Sequence, residues 1–356
     1  MSVLKRFFNN FLPEELVSIG MLLFATYLNV FIYNNEVSFN QAIKSMVGYF
    51  TFGDKFYYIF FITVYFFALF DFYPSFSRLL VDWFTGNVVM TKQILIDLDK
   101  KLATPIRRVL PIAIVSGTMY QLLDNISYQF RNFSKDVFLA QVDLAVFGRL
   151  LFLDLPTYFN SNFISHFFAY FYISLSYVLP LFLVLLFILK KNESLRLAVT
   201  AFMLSFLFAY PFFYILPAQG PSYSIISNVR SVQLPEDLTF RLQSYKPNEY
   251  TARTMDNILI NITNKEKDNS FPVSSIPSMH ATWGMIVVFF LFKLRKYTLA
   301  LSLPWIILML LGGLYLGQHY LIDYFASVPV AGMSIFSAYW LLRLKKEKPA
   351  ILLKSV

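Results

Sequence analysis

Tyr297-Thr-Leu-Ala-Leu-Ser-Leu-Pro-Trp-Ile-Ile-Leu-Met-Leu-Leu-Gly-Gly-Leu-Tyr-Leu-Gly317 contains no charged side chain. As a helix rising 1.5 Å per residue it is about 30 Å long, the thickness of a bilayer's hydrocarbon core. A second apolar stretch, Tyr320 to Leu342, begins almost at once and carries one acidic residue, Asp323. Two such segments with no room for a soluble connector predict a helical hairpin in a membrane. Outward from this pair, the same criterion marks Leu16 to Tyr33, Phe56 to Tyr73, Val109 to Leu123, Phe163 to Leu189, Leu197 to Leu216 and Ile276 to Phe292, the third and sixth of the eight being the weakest. The chain is 57% hydrophobic and 14% charged, which leaves too little polar surface for a soluble globule or a disordered chain. The expected fold is therefore an all-α polytopic membrane bundle of about eight transmembrane helices. The chain has no Cys, so disulfides, thiolate metal sites and cysteine nucleophiles are excluded.

Charge sets the expected orientation. If all eight segments cross, the termini share a side with segments 74–108, 190–196 and 293–296, and this side holds 19 of the 30 Lys and Arg residues. Basic residues collect in cytoplasmic loops, so both termini are expected in the cytosol and the net charge of +9 reads as membrane topology rather than nucleic-acid binding. Sequons at Asn125, Asn132 and Asn261 fall in outer loops and one at Asn192 falls inside, a weak support. Met1 to Pro13 lacks the apolar core and small-residue site of a cleavable signal peptide, and none is expected. Val137 to Leu153 is apolar but carries Asp143 and Arg149, costly at the bilayer centre, and reads as interfacial or re-entrant. The loops 124–162 and 217–279 are long enough to be functional.

The three histidines are His166, His280 and His319. His280 follows Pro277-Ser278-Met279 at the outer end of the sixth segment, where Pro and Ser supply helix-start chemistry. His319 lies at the outer end of the eighth, and the chain passes in and back between them, so both reach one membrane depth. His319 and Asp323 are four residues apart, on one helix face. A carboxylate there fixes the imidazole tautomer and leaves the other nitrogen free as nucleophile or base. His166 has no such context and reads as structural. A metal site of two His and Asp323 is possible by ligand count.

These residues resemble motifs of the type 2 phosphatidic acid phosphatase superfamily, in its branch of fungal inositol phosphorylceramide synthases and related bacterial and archaeal proteins. Pro277-Ser-Met-His280 resembles its Pro-Ser-x-His motif and Gly317-Gln-His319-Tyr-Leu-Ile-Asp323 its Gly-x-His-Tyr-x-x-Asp motif. Leu216-Pro-Ala-Gln-Gly-Pro-Ser-Tyr223 and Asp143-Leu-Ala-Val-Phe-Gly148 resemble two stretches that precede them. The resemblance covers roughly 137–342. It implies a catalytic core of five to six helices over 137–343, after a three-span region 1–136 and before a basic cytoplasmic tail 344–356. It also implies metal-independent double displacement, with His319 as nucleophile, Asp323 orienting it and His280 as proton donor and acceptor; no cofactor or metal is expected. The wider superfamily's Lys-x-x-x-x-x-x-Arg-Pro motif is absent, and its Ser-Arg pair is replaced by Gly312 and Gly313. Phosphate would then be gripped by other groups, for which Arg230, Arg241, Lys246 and Arg253 are candidates, with Gln219, Gly220, Tyr223 and Ser278 as further substrate-binding candidates.

The implied activity is a membrane phosphotransferase that passes a phosphoryl-linked head group from a lipid donor to a lipid or alcohol acceptor at the extracytoplasmic or lumenal face. A lipid phosphatase with water as acceptor is the nearest alternative, and a lipid transporter or scramblase with no covalent chemistry is the third. The expected partners are the bilayer and these lipids, without nucleic acid.

Overall fold

A computed structural model describes residues 12–31, 76–86, isolated positions between 111 and 130, then 134–227, 233–253 and 275–346. Among them there is no β-strand, and the protein is an all-helical membrane protein. The helices are α1 (Pro13–Phe31), α2 (Asp136–Phe147), α3 (Leu151–Tyr158), α4 (Asn162–Ile188), α5 (Asn192–Ile215), α6 (Glu236–Gln243), α7 (Met279–Leu294), α8 (Leu299–Tyr315) and α9 (Leu321–Lys346). The chain divides into two compact units, 1–118 with 183–199, and 119–182 with 200–356.

Four stretches are long and apolar enough to cross a bilayer: Asn162–Ile188, Asn192–Ile215, Lys296–Tyr315 and Leu321–Arg343. They match the expected fourth, fifth, seventh and eighth segments to within a few residues. α7, the expected sixth, has 16 residues, which at 1.5 Å each span about 24 Å. α1 covers most of the expected first segment, whereas the second lies outside the described residues and the third is described only at isolated positions. Phe163, Tyr170 and Leu181 of α4, Leu301 of α8 and Phe336 of α9 are exposed, as lipid-facing side chains would be. Pro180, Pro211, Pro304 and Pro329 lie inside helices, as membrane helices tolerate.

In the first unit, buried Glu14 accepts a hydrogen bond from Arg196 Nε at 2.9 Å, so the carboxylate in the first turn of α1 is paired. In the second, indole donors join helices: Trp283 Nε1 to Ser205 Oγ at 3.0 Å ties α7 to α5, and Trp305 Nε1 to Ser174 Oγ at 2.8 Å ties α8 to α4. Such interhelical bonds average about 0.6 kcal/mol each, enough to fix register where lipid supplies no hydrophobic drive.

The segment 137–153 is not one helix of membrane length. It forms α2 and α3, of 12 and 8 residues, separated where Gly148 takes a left-handed conformation that closes α2. The loop after α5 is built as well: a π-helical turn at Ser222–Ile226 and α6 follow, and Leu238 of α6 is buried with Leu139, Leu150, Phe152, Ile276 and Tyr320. Helices and loops thus converge on one core beside the N-terminal ends of α7 and α9.

Candidate active site

Ser278 starts α7 as its N-cap, its Oγ accepting from Ala281 N–H at 3.3 Å, so His280 lies in the first turn. α8 returns to the same end, and His319 sits in the short connection between Tyr315 and Leu321. The two imidazoles lie 6.0 Å apart, centroid to centroid, at 60°. The hairpin topology therefore brings them together as the sequence predicts.

Every bond around His319 has a direction. Its Nδ1–H donates to Asp323 Oδ2 at 3.2 Å, which leaves Nε2 with a lone pair that accepts from Ser278 Oγ at 3.1 Å. Asp323 is fully buried, and Oδ2 also accepts from Ser275 Oγ at 2.6 Å and Tyr320 N–H at 2.9 Å. Its Oδ1 has no partner among the described residues. Ser278 N–H donates to the Asp323 carbonyl at 3.3 Å, and Ser327 Oγ lies within hydrogen-bonding distance of the carbonyls of Ser278 and Asp323. The starts of α7 and α9 are tied at both main-chain and side-chain level.

Two carboxylates of α2 hold this arrangement from outside. Asp143 accepts from Leu321 N–H at 2.8 Å and Ile322 N–H at 2.9 Å, capping α9 from another helix. Asp136 accepts from Gln219 N–H, Gly220 N–H and Tyr320 Oη, each at 2.9 Å, and from Ser134 Oγ. Burial raises both acids. It pushes Asp143 up to about 6, reinforced by nearby Asp323 and opposed by the Leu321 and Ile322 amides; the bonds from Ser134, Gln219, Tyr320 and Gly220 oppose it at Asp136. Gly220 takes φ +97°, and a Cβ there would stand 2.6 Å from the Gln318 carbonyl oxygen, so glycine lets the 217–222 segment reach the loop that carries His319. Ser222 N–H donates to the Gly317 carbonyl at 2.7 Å across that approach.

The other substrate-binding candidates are distributed differently. Gly220's amide is committed to Asp136, and Tyr223 is buried in the core at 1% exposure. The Gln219 side-chain oxygen and nitrogen are both buried without partners among the described residues, a costly state that a polar ligand would relieve. Arg241 and Lys246 are exposed, and among the described residues no hydrogen bond or ion pair ties either to the histidines; Arg253 pairs with Glu249 on the surface. Arg230 lies outside the described residues. His166 is exposed, donates from Nδ1 to the Asn162 carbonyl and stacks on Tyr250 at 3.6 Å, a local structural arrangement.

Three contributors carried no local signal. Asp136 and Ser275 act on partners 84 and 48 positions away. Tyr172, on α4, stacks on His280 at 4.5 Å and 21°. Only a folded chain brings them into range.

Helices of membrane length, with an imidazole–carboxylate pair buried near a second imidazole, define an integral membrane protein. A family model described as the PAP2 superfamily matches residues 142–337, more than half of the chain, and the chain belongs to that superfamily, the type 2 phosphatidic acid phosphatases and their relatives. Its members are phosphoesterases and phosphotransferases, so the protein is an enzyme of that general kind. No curated protein and no solved structure matches the chain.

Proposed function

We propose that the protein is a lipid head-group phosphotransferase working through a phosphohistidine on His319, similar to the inositol phosphorylceramide synthase branch of its superfamily. The observation that carries this reading is the bonding of His319, with Asp323 on Nδ1 and Ser278 Oγ on Nε2, and the second imidazole, of His280, 6.0 Å away between ring centroids. In the first half-reaction the bond from Nε2 to phosphorus forms as the bond from phosphorus to the leaving oxygen breaks, and protonated His280 gives its proton to that oxygen. In the second, His280 takes the proton of the acceptor hydroxyl, whose oxygen attacks phosphorus and returns the electron pair to Nε2. Two steps of modest difficulty replace one hard one, and Asp323 stabilises the imidazolium character that His319 gains.

Ser278 supports the role given to it as a substrate-binding residue. Its hydroxyl occupies the Nε2 lone pair before substrate arrives and turns to a phosphoryl oxygen when Nε2 attacks. The buried Gln219 amide is the second such group, able to donate and accept at once. His319 at 5% exposure sits where bulk water has little access, which supports an alcohol delivered within the bilayer over water as acceptor.

The cycle uses only side chains, so chelators leave the rate unchanged, and restoration of lost activity by zinc would contradict it. The deciding experiment incubates purified protein with phosphatidylinositol, phosphatidic acid and ceramide in mixed micelles and resolves the products by mass spectrometry. A phosphodiester product without free phosphate supports transfer. Free phosphate from phosphatidic acid alone would make the enzyme a phosphatase, and lipid movement without covalent change would make it a transporter.

A further inference from the structure

His319 is oriented by hydrogen bonds on both nitrogens, whereas the ring of His280 has no hydrogen-bond partner among the described residues. A proton donor must nonetheless present one nitrogen along one line. What lies against the His280 ring is Tyr172, stacked at 4.5 Å and 21°, with the His319 ring 6.4 Å away at 65°.

Two glycines of α8 make room for it. A Cβ at Gly312 would stand 2.4 Å from the Phe168 carbonyl oxygen and 3.1 Å from Tyr172 Cβ. At Gly313 it would stand 2.4 Å from Tyr324 Oη and 3.2 and 3.3 Å from the Tyr172 ring. Tyr324 cannot yield freely, because its hydroxyl donates to the Leu310 carbonyl at 2.7 Å. The Gly-Gly pair therefore lets α4 pack against α8 and places the Tyr172 ring beside both histidines.

We infer that Tyr172 is the positioning residue for His280: its ring face holds the imidazole at the angle from which it serves a phosphoryl group on His319. Resting on the phosphohistidine reading above, this assigns the orientation of the second imidazole to an aromatic face rather than to a carboxylate. The ring does the holding, and the hydroxyl is dispensable. Stacked aromatic pairs attract beyond what their burial contributes, which favours one ring orientation over another.

The test uses leaving-group dependence, which a merely structural role would not move. An alkoxide must be protonated as it departs, whereas 4-nitrophenolate leaves without a proton. The full-length protein is assayed on two probe pairs, phosphatidylinositol with 4-nitrophenyl myo-inositol-1-phosphate, and phosphatidic acid with 4-nitrophenyl phosphate. Tyr172→Leu lowers kcat/KM, which reports the half-reaction in which the leaving oxygen departs and not the second one that both esters share, at least ~30-fold on the lipid ester but less than ~3-fold on its nitrophenyl counterpart, since a general acid contributes ~10²- to 10⁴-fold. Tyr172→Phe keeps the stack and stays within ~3-fold on both esters, which means little lost transition-state binding. Tyr172→Met, which keeps the bulk but not the ring face, gives the same split as the leucine variant and serves in its place if that variant fails to accumulate. Equal losses on both esters, or no loss, overturn the proposal. His280→Ala separates the two levels. If it splits the esters and Tyr172→Leu does not, only the role of Tyr172 falls. If His280→Ala shows no split, or the wild-type protein turns over neither pair, the phosphohistidine reading falls with it.

Discussion

Ser278 illustrates how much one side chain carries. Its Oγ caps α7 through Ala281 N–H and donates to His319 Nε2, so an alanine there removes two functions at once. Glycine separates them, because replacing a serine cap by alanine costs about 1 kcal/mol and by glycine only a few tenths. Ser278→Gly is therefore expected to melt close to the wild-type protein while losing activity about tenfold, as loss of one hydrogen bond worth about 1.4 kcal/mol in the transition state requires. Ser278→Ala loses the same activity and additional stability; a glycine variant with full activity would remove the hydrogen bond from Ser278 to the phosphoryl oxygen from the mechanism. The His319–Asp323 pair was legible because four residues on a helix is a local relation. Asp136, Ser275 and Tyr172 were not, since nothing in a linear pattern reveals a partner many tens of residues away. The loop cations show the converse: Arg241 and Arg253 stood out in the sequence for their charge, yet they lie exposed, Arg253 paired with Glu249.

Between residue and bundle, α2 bears the most consequence. Asp143 and Arg149 made the 137–153 stretch too costly for a crossing, and the structure bends it into α2 and α3. What sequence did not disclose is the use of that cost: Asp143 caps α9 in trans through Leu321 and Ile322, next to His319. Burial holds its carboxyl at about 6, above the ordinary value. The folded protein thus binds this proton more readily than the unfolded chain, and the stability contributed here is fully present at low pH and lost as pH rises through about 6. Asp143→Asn carries no such dependence. Thermal melts of the two proteins from pH 7.5 to pH 5 should show the wild type gaining on the variant as pH falls, while the variant loses activity at pH 7.5 because it retains one acceptor for two amides. A constant melting difference across that range would contradict the assignment. The membrane helices were the easier part: apolar runs near 20 residues fix position to within about five residues, and their ends depend on capping.

At the scale of the whole molecule, exposed aromatic and aliphatic side chains on α4, α8 and α9 and the superfamily match together make this an integral membrane enzyme. Basic residues cluster at Lys293, Arg295 and Lys296 where α7 turns into α8, at the opposite end of those helices from the histidines, and we propose that this end faces the cytosol. Because the chain has no cysteine, Lys246→Cys and Arg295→Cys each introduce a unique label at an exposed position. An impermeant maleimide added to sealed, right-side-out vesicles is expected to label the first and spare the second; the reverse would place the candidate site on the cytosolic face. The central claim is chemical, and the most direct measurement is made on the enzyme itself: brief incubation with donor lipid, quenching in alkali, proteolysis and mass spectrometry of the peptides that contain His280 and His319. The account predicts a phosphoryl-linked adduct on His319 that is labile in acid and absent from His319→Ala. An adduct on His280, or one that persists in His319→Ala, would contradict it.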